Sequence, residues 1–117
     1  IPGKELAKTV IVKVNNGFAM AVLPASRKVN FDKLREVVGN KEIILAEEDE
    51  FKDLFPDCEV GAMPPFGNLY QIPVYVASAL AEDKEITFNA GTHTDVIKIS
   101  YSDFEQLVQP TTGTFSE

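Results

Sequence analysis

The sequence predicts an α/β (α+β) domain, a mixed and partly antiparallel sheet with helices packed around it. Three observations lead there. Thr9-Val10-Ile11-Val12-Lys13-Val14 is a β-branched run of the kind that fits a pleated surface. Asn15-Asn16-Gly17 follows, a turn signal whose residues tolerate positive φ, and Phe18–Leu23 then returns as a second strand. Beyond this hairpin, helical and strand-like segments alternate as far as Pro110.

Phe18-Ala19-Met20-Ala21-Val22-Leu23 is almost unbroken in its apolar character and stops at Pro24. A strand of that kind is buried on both faces, in the middle of a sheet. Asn30 can cap a helix with Phe31, Leu34, Val37 and Val38 at helical spacing, ended by Gly39. Glu42–Ala46 reads as a short strand. Glu47, Glu48, Asp49 and Glu50 then sit in the first turn of an acidic helix that turns Phe51, Leu54 and Phe55 inward. The helix dipole accounts for that acid cluster without a metal. Val60–Asn68, with two glycines and two prolines, fixes a specific loop. A strand at Ile72–Val76 follows, with Pro73 arguing for an edge position or a bulge. Then come a helical piece through Ser78–Ala81 and strands at Glu85–Asn89 and Val96–Ile99, the last two joined by Gly91-Thr92-His93-Thr94. Ser102 and Glu105 have capping-box spacing and open a final helix through Phe104, Leu107 and Val108. The expected organisation is one domain over 1–110 and a loose tail over 111–117.

A chain of 117 residues, 44% hydrophobic and 25% charged, can bury a core without staples. It contains one cysteine, Cys58, so no intramolecular disulfide forms, and no Cys/His spacing suggests a zinc site. Such usage suits a reducing cytoplasm. No apolar run reaches the roughly 20 residues of a membrane-spanning helix, and no signal peptide is evident. The first residue is Ile1, which reads as a fragment or a processed chain. The net charge of −7 argues against a nucleic-acid partner until its distribution is considered. Eight of the eleven bases and three acids fall within residues 1–41, a net +5; the remainder carries −12. A basic face can therefore meet phosphates on an acidic molecule, although a solvated surface with uneven charges is the default reading of the same distribution.

No ready-made nucleophile is visible. Cys58 lies between Asp57 and Glu59, which disfavour a thiolate. His93 is the only histidine, and no Gly-x-Ser-x-Gly elbow, phosphate-binding loop or dinucleotide fingerprint accompanies it. Two features remain. Lys8 opens a strand, where a side chain can be aimed rigidly into a cleft, although a lysine there is by default an exposed surface charge. The Gly61–Gly67 loop offers backbone amides that can approach and polarise a carbonyl, although a stiff folding loop has the same composition.

Ala7-Lys8-Thr9, Val22-Leu23-Pro24-Ala25, Val29 to Leu34, Gly61-Ala62-Met63-Pro64-Pro65-Phe66-Gly67 and Ala90-Gly91-Thr92-His93-Thr94 occur in this order. The ordered set resembles the YbaK/ProX family of aminoacyl-tRNA deacylases, related to the editing insertion domain of bacterial prolyl-tRNA synthetases. The resemblance runs from about Leu6 to Pro110. It implies hydrolysis of the ester bond of mischarged aminoacyl-tRNA in the cytoplasm, with no cofactor and no metal. Its partners would be the acceptor end of tRNA and, by association, an aminoacyl-tRNA synthetase. It assigns the essential lysine to Lys8 and the Gly-x-x-x-Pro motif to Gly61 and Pro65. Substrate contacts are expected from Gly61, Ala62, Met63, Pro64, Pro65, Phe66, Gly67, Gly91 and His93, with Met63, Phe66 and Val22 setting pocket size. Family members lack a protein nucleophile, so water or the terminal hydroxyl of the tRNA attacks. They usually carry a helical segment before the lysine, whereas seven residues precede Lys8 here. A small hydrophobic pocket rejects larger side chains, which favours Ala, Ser or Cys as the group removed. Two alternatives stay open: a non-catalytic tRNA- or protein-binding module of the same fold, and a hydrolase of small acyl compounds.

Overall fold

The computed structural model describes residues 6–15, 17–39, 42–56, 58, 63–82, 84–92 and 94–117, apart from the Lys52 side chain. The first hairpin forms as expected. β1 (Leu6–Val14) runs antiparallel to β2 (Gly17–Pro24), with Lys8 opposite Leu23 and Val12 opposite Ala19. Asn15 adopts φ 56°, the left-handed conformation the turn requires. Asn30 caps α1 (Phe31–Val37) by accepting a 3.1 Å hydrogen bond from the Lys33 amide, and Gly39 follows with φ +91°. β3 (Ile43–Leu45) then pairs antiparallel with the far end of β1, and α2 (Glu48–Phe51) continues into a 3₁₀ turn at Lys52–Leu54.

The second half completes the sheet. β4 (Val74–Ala77) lies parallel to β2, α3 (Ser78–Ala81) turns the chain back, and β5 (Glu85–Asn89) lies parallel to the start of β1. β6 (Val96–Ser100) is antiparallel to β5, α4 (Tyr101–Val108) packs behind, and β7 (Thr111–Gly113) closes parallel to β4. Among the described residues the strand order is β6-β5-β1-β2-β4-β7, with β3 paired to β1 off this path. The central place of β2 agrees with its apolar run: Met20, Ala21, Val22 and Leu23 are all fully buried.

Three details differ from the sequence expectation. The residues expected to form a loose tail are built into the fold: β7 pairs with β4, Phe115 is fully buried, and Val29 bridges Ser116. A single large aromatic anchors this segment, a signal too short for periodicity to reveal. The last helix is capped by Ser100, whose hydroxyl accepts from the Asp103 amide, so Ser102 lies inside it. Pro73 precedes β4, and β4 is an inner strand; the Pro73 carbonyl still accepts from the Met20 amide at 2.9 Å. A proline just outside the ladder loses no strand hydrogen bond.

Because side chains alternate along a strand, β1 contributes to two cores. Ala7 and Ile11 join Met20, Val22, Met63, Phe88 and Phe104 on one face. Val12 joins Ala19, Ala21, Leu23, Leu34 and Phe115 on the other, where α1 packs. Phe66 braces the first core edge-on, its ring centroid 5.3 Å from Phe88 and 6.0 Å from Phe104. Each such pair contributes about 0.5–1.5 kcal/mol beyond the area it buries.

Candidate functional site

Lys8 is the third residue of β1. It alternates with Ala7 and Thr9, which point into the Met63 and Phe88 side of the sheet, so its own side chain emerges on the α1 side. There it lines an open hollow of about 270 Å³ together with Val10, Lys28, Val29, Phe31 and Leu45. Its lining is mainly apolar, and Lys8 and Lys28 are the charged residues in it. Among the described residues no acid lines it, and none is in ion-pair contact with Lys8 or Lys28.

The backbone around this hollow is well fixed. The Lys28 amide donates to the Glu117 carbonyl at 2.7 Å, and the Glu117 amide returns a bond to the Lys28 carbonyl at 2.9 Å. The Asn30 side-chain amide donates to the Glu117 carboxylate at 3.0 Å. The Ala25 amide donates to the Leu6 carbonyl, which ties the end of β2 to the strand that carries Lys8. A lysine aimed from such a strand keeps its base still while its ammonium stays in water.

On the same face as Lys8, one strand away, stand Thr87 and Asn89. Leu6 pairs with Thr87 and Ala7 with Phe88 in parallel register, which brings Asn89 level with Lys8. Both are half-buried, between the buried Ile86 and Phe88. The sequence expectation omitted these two. The alternation Ile86-Thr87-Phe88-Asn89 was the signal that could have found them, once β5 is known to lie beside β1.

The loop residues are placed differently. Met63 is 4% exposed and packs with Ala7 and Phe88, on the side of the sheet away from Lys8; Val22 is fully buried on that side as well. Pro65 is buried and Pro64 half-buried. Phe66 is half-buried against Phe88 and Phe104. Gly67 begins a 3₁₀ turn, Gly67–Leu69, and its carbonyl accepts from the Tyr70 and Ile72 amides at 2.9 Å each. Met63, Phe66 and Val22 therefore do not line the hollow with Lys8: Val22 points to the opposite core by the two-residue period of β2, and Met63 and Phe66 pack into that same core from the loop. Gly91 is buried with φ +98°, a conformation that favours glycine. Gly61, Ala62 and His93 lie outside the described residues. Cys58 is half-buried, its sulfur 3.8 Å from the Tyr70 hydroxyl.

Two groups away from the hollow have displaced titration. The Lys13 ammonium bonds the Glu50 carboxylate at 2.6 Å and, with the Glu47 amide, holds its pKa below the usual glutamate range. Burial pushes the Tyr101 hydroxyl above the usual tyrosine value, tempered by the nearby Thr112 side chain. Among the described residues no group of three His, Cys, Asp or Glu is arranged to hold a metal ion, and no helix is long and apolar enough to cross a membrane.

Comparison with known proteins places this geometry in a family. The family model of the aminoacyl-tRNA editing domain matches residues 1–107. The chain belongs to the aminoacyl-tRNA editing domain family. This editing domain is 31% identical over 67 residues to a proline–tRNA ligase of Thermosipho africanus, covering 57% of this chain and 12% of the ligase. It is 30% identical over 81 residues to the proline–tRNA ligase of Bacillus cytotoxicus, covering 69% of this chain and 14% of the ligase. The editing domain thus spans only a small part of the length of these curated relatives. Among solved structures it superposes on a hypothetical protein with a TM-score of 0.86 at 24% identity, covering all of this chain and 77% of the other. It also superposes on a structure described as a candidate trans-editing enzyme for prolyl-tRNA synthetase. That match has a TM-score of 0.84 at 18% identity and covers 96% of this chain and 70% of the other. These superpositions establish the mixed fold.

Proposed function

We propose that the editing domain hydrolyses the ester bond of mischarged aminoacyl-tRNA, acting in the cytoplasm on a small aminoacyl group such as Ala, Ser or Cys. Membership of the editing family supports the reaction class. The observation that carries the site is Lys8: a lysine without an ion-pair partner among the described residues, held on a fixed strand and lining an open, mainly apolar hollow.

In this reading the ester lies across the face that bears Lys8, Thr87 and Asn89. The Lys8 ammonium holds the ester carbonyl or the terminal phosphate. Negative charge gathers on the carbonyl oxygen as water, or the terminal hydroxyl of the tRNA, attacks, and a fixed cation stabilises it most at that moment. Amides of the loop at Gly61 and Ala62, the buried Gly91 and the residue His93 supply further contacts in the same proposal. The basic excess of residues 1–41 offers a landing surface for acceptor-stem phosphates. Association with prolyl-tRNA synthetase is part of the proposal, supported by the proline–tRNA ligases among the relatives.

The test is a deacylation panel with Ala-, Ser- and Cys-charged tRNA, run on the chain and on Lys8→Ala. Loss of ester from one of them, slowed about a hundredfold or more by Lys8→Ala, is the expected result, by the scale of a lost oxyanion donor. No turnover on any tRNA, or equal rates for the variant, would sink it. Salt-dependent tRNA binding without turnover would instead identify a binding module.

A further inference from the structure

We infer that the hollow beside Lys8 receives the terminal nucleoside of the acceptor end with its 5′-phosphate, and that Lys28 is the phosphate anchor. This rests on the deacylase reading above and adds to it a subsite and a residue.

Size is the first argument. The hollow is about 270 Å³, room for roughly nine waters at ~30 Å³ each. A methyl or hydroxymethyl side chain would leave most of that volume wet. A flat nucleoside, broad and apolar on its faces, fills it better.

Lining chemistry is the second argument. Val10, Val29, Phe31 and Leu45 give an apolar lining, and Leu45 is left 58% exposed. Phe31 adds an aromatic surface on which any base can stack. Lys8 and Lys28 both line it, and among the described residues no acid lines the hollow with them. A mainly apolar lining that includes two lysines is complementary to a base bearing a phosphate, and poorly matched to a neutral peptide or lipid tail.

The two lysines also differ in how they are held. Both lysines line one hollow but sit on different supports: Lys8 on a central strand, Lys28 on the segment held by paired bonds to Glu117. If Lys8 attends the ester, a second fixed cation is free for the phosphodiester one sugar away. Lys28 is exposed and is held through its backbone, so replacing its side chain leaves the fold intact.

The experiment titrates the isotopically labelled full chain with adenosine 5′-monophosphate and with adenosine, following backbone amides. We expect the monophosphate to shift Val10, Val29, Phe31 and Leu45 and to bind about tenfold more tightly than adenosine, the scale of one charge-assisted contact. Lys28→Ala should remove that difference and lower the salt slope by about 1, and Lys28→Arg should restore both. Shifts centred elsewhere, equal binding of the two probes, or no effect of Lys28→Ala would overturn the inference. A second arm separates a tRNA end from a free nucleotide. An acceptor-stem minihelix should displace the monophosphate only when it retains its terminal adenosine, and failure to displace it overturns assignment to the tRNA end. The two readings fail separately. Absent deacylation with intact monophosphate binding removes the enzyme reading alone. Intact deacylation that ignores Lys28→Ala removes this subsite alone.

Discussion

A Cβ atom built on Gly67 would lie 2.4 Å from the carbonyl oxygen of Ile72. The same atom would lie 2.6 Å from Cγ2 of Val74, so neither backbone nor side chain leaves room for it. The glycine also accepts the Tyr70 and Ile72 amides. Gly67→Ala should therefore destabilise the domain by about 1–3 kcal/mol through overpacking. Urea denaturation reads this as a lower midpoint at unchanged slope. An unchanged midpoint would mean that the turn has slack.

Lys8→Ala should leave stability within about 0.5 kcal/mol of the parent, because the side chain lines an open hollow and no ion pair is lost among the described residues. A large drop in thermal midpoint would make Lys8 a structural residue and recast any lost activity as unfolding.

Phe115→Ala should cost about 3–5 kcal/mol, the usual scale for emptying a buried aromatic site. Phe115 is fully buried with Leu34, Leu23 and Ala77, although only Ser116 and Glu117 follow it in the described chain. Equilibrium unfolding measures it directly. A cost below about 1 kcal/mol would return this segment to the loose tail that its Thr/Gly/Ser composition suggests.

Tyr101 is buried, and among the described residues its hydroxyl lacks a hydrogen-bond partner of good geometry. Tyr101→Phe should be neutral or stabilising by up to about 1 kcal/mol, since the ring stays and an unsatisfied polar group goes. The pH dependence has a definite sign. The folded pKa is raised by burial, so this contribution is fully present below the ordinary tyrosine value and is lost as pH climbs through the folded value. Stability measured at increasingly alkaline pH should fall more steeply for the parent than for Tyr101→Phe.

Glu50 behaves in the opposite sense. The Lys13 bond, then the Glu47 amide, lower its folded pKa. Its contribution is present above the unfolded glutamate value and disappears as pH falls through the folded one. Both partners are partly exposed, so the effect is small and screened by salt. Glu50→Gln should flatten the acid limb of the stability profile at low ionic strength, and identical limbs would show that the pair contributes nothing.

Much of the fold was legible because local signals and tertiary packing agree. The Val/Ile run of β1, the left-handed turn residue Asn15 and the Asn30 cap each specify a backbone conformation that nothing later overrides. The apolar run at Met20–Leu23 was readable as a central strand for the same reason. What escaped depends on partners distant in sequence. Ser100 caps the last helix although Ser102 has the better spacing to Glu105, because the helix begins where β6 ends. The candidate site divides in the same way. Lys8 stood out in the chain, but Lys28, Thr87 and Asn89 become its neighbours only through the parallel pairing of β5 with β1 and through the β2 to α1 connection. The Gly61–Gly67 segment carries strong local character, yet its described part, Met63 to Gly67, owes much of that character to packing with Ala7, Phe88 and Phe104.

The alternation in β1 has a consequence for how this chain can vary. Lys8 and Val10 look outward into the hollow while Ala7 and Ile11 look into the core. Losing one residue between Lys8 and Val14 would turn the lysine inward against the Phe88 layer and push an alkyl group out into the cleft. Fold and site would be lost in one step, with no intermediate in which one survives. Length changes should therefore accumulate at the surface turns that join the strands, while the spacing from Lys8 to the hairpin turn stays fixed.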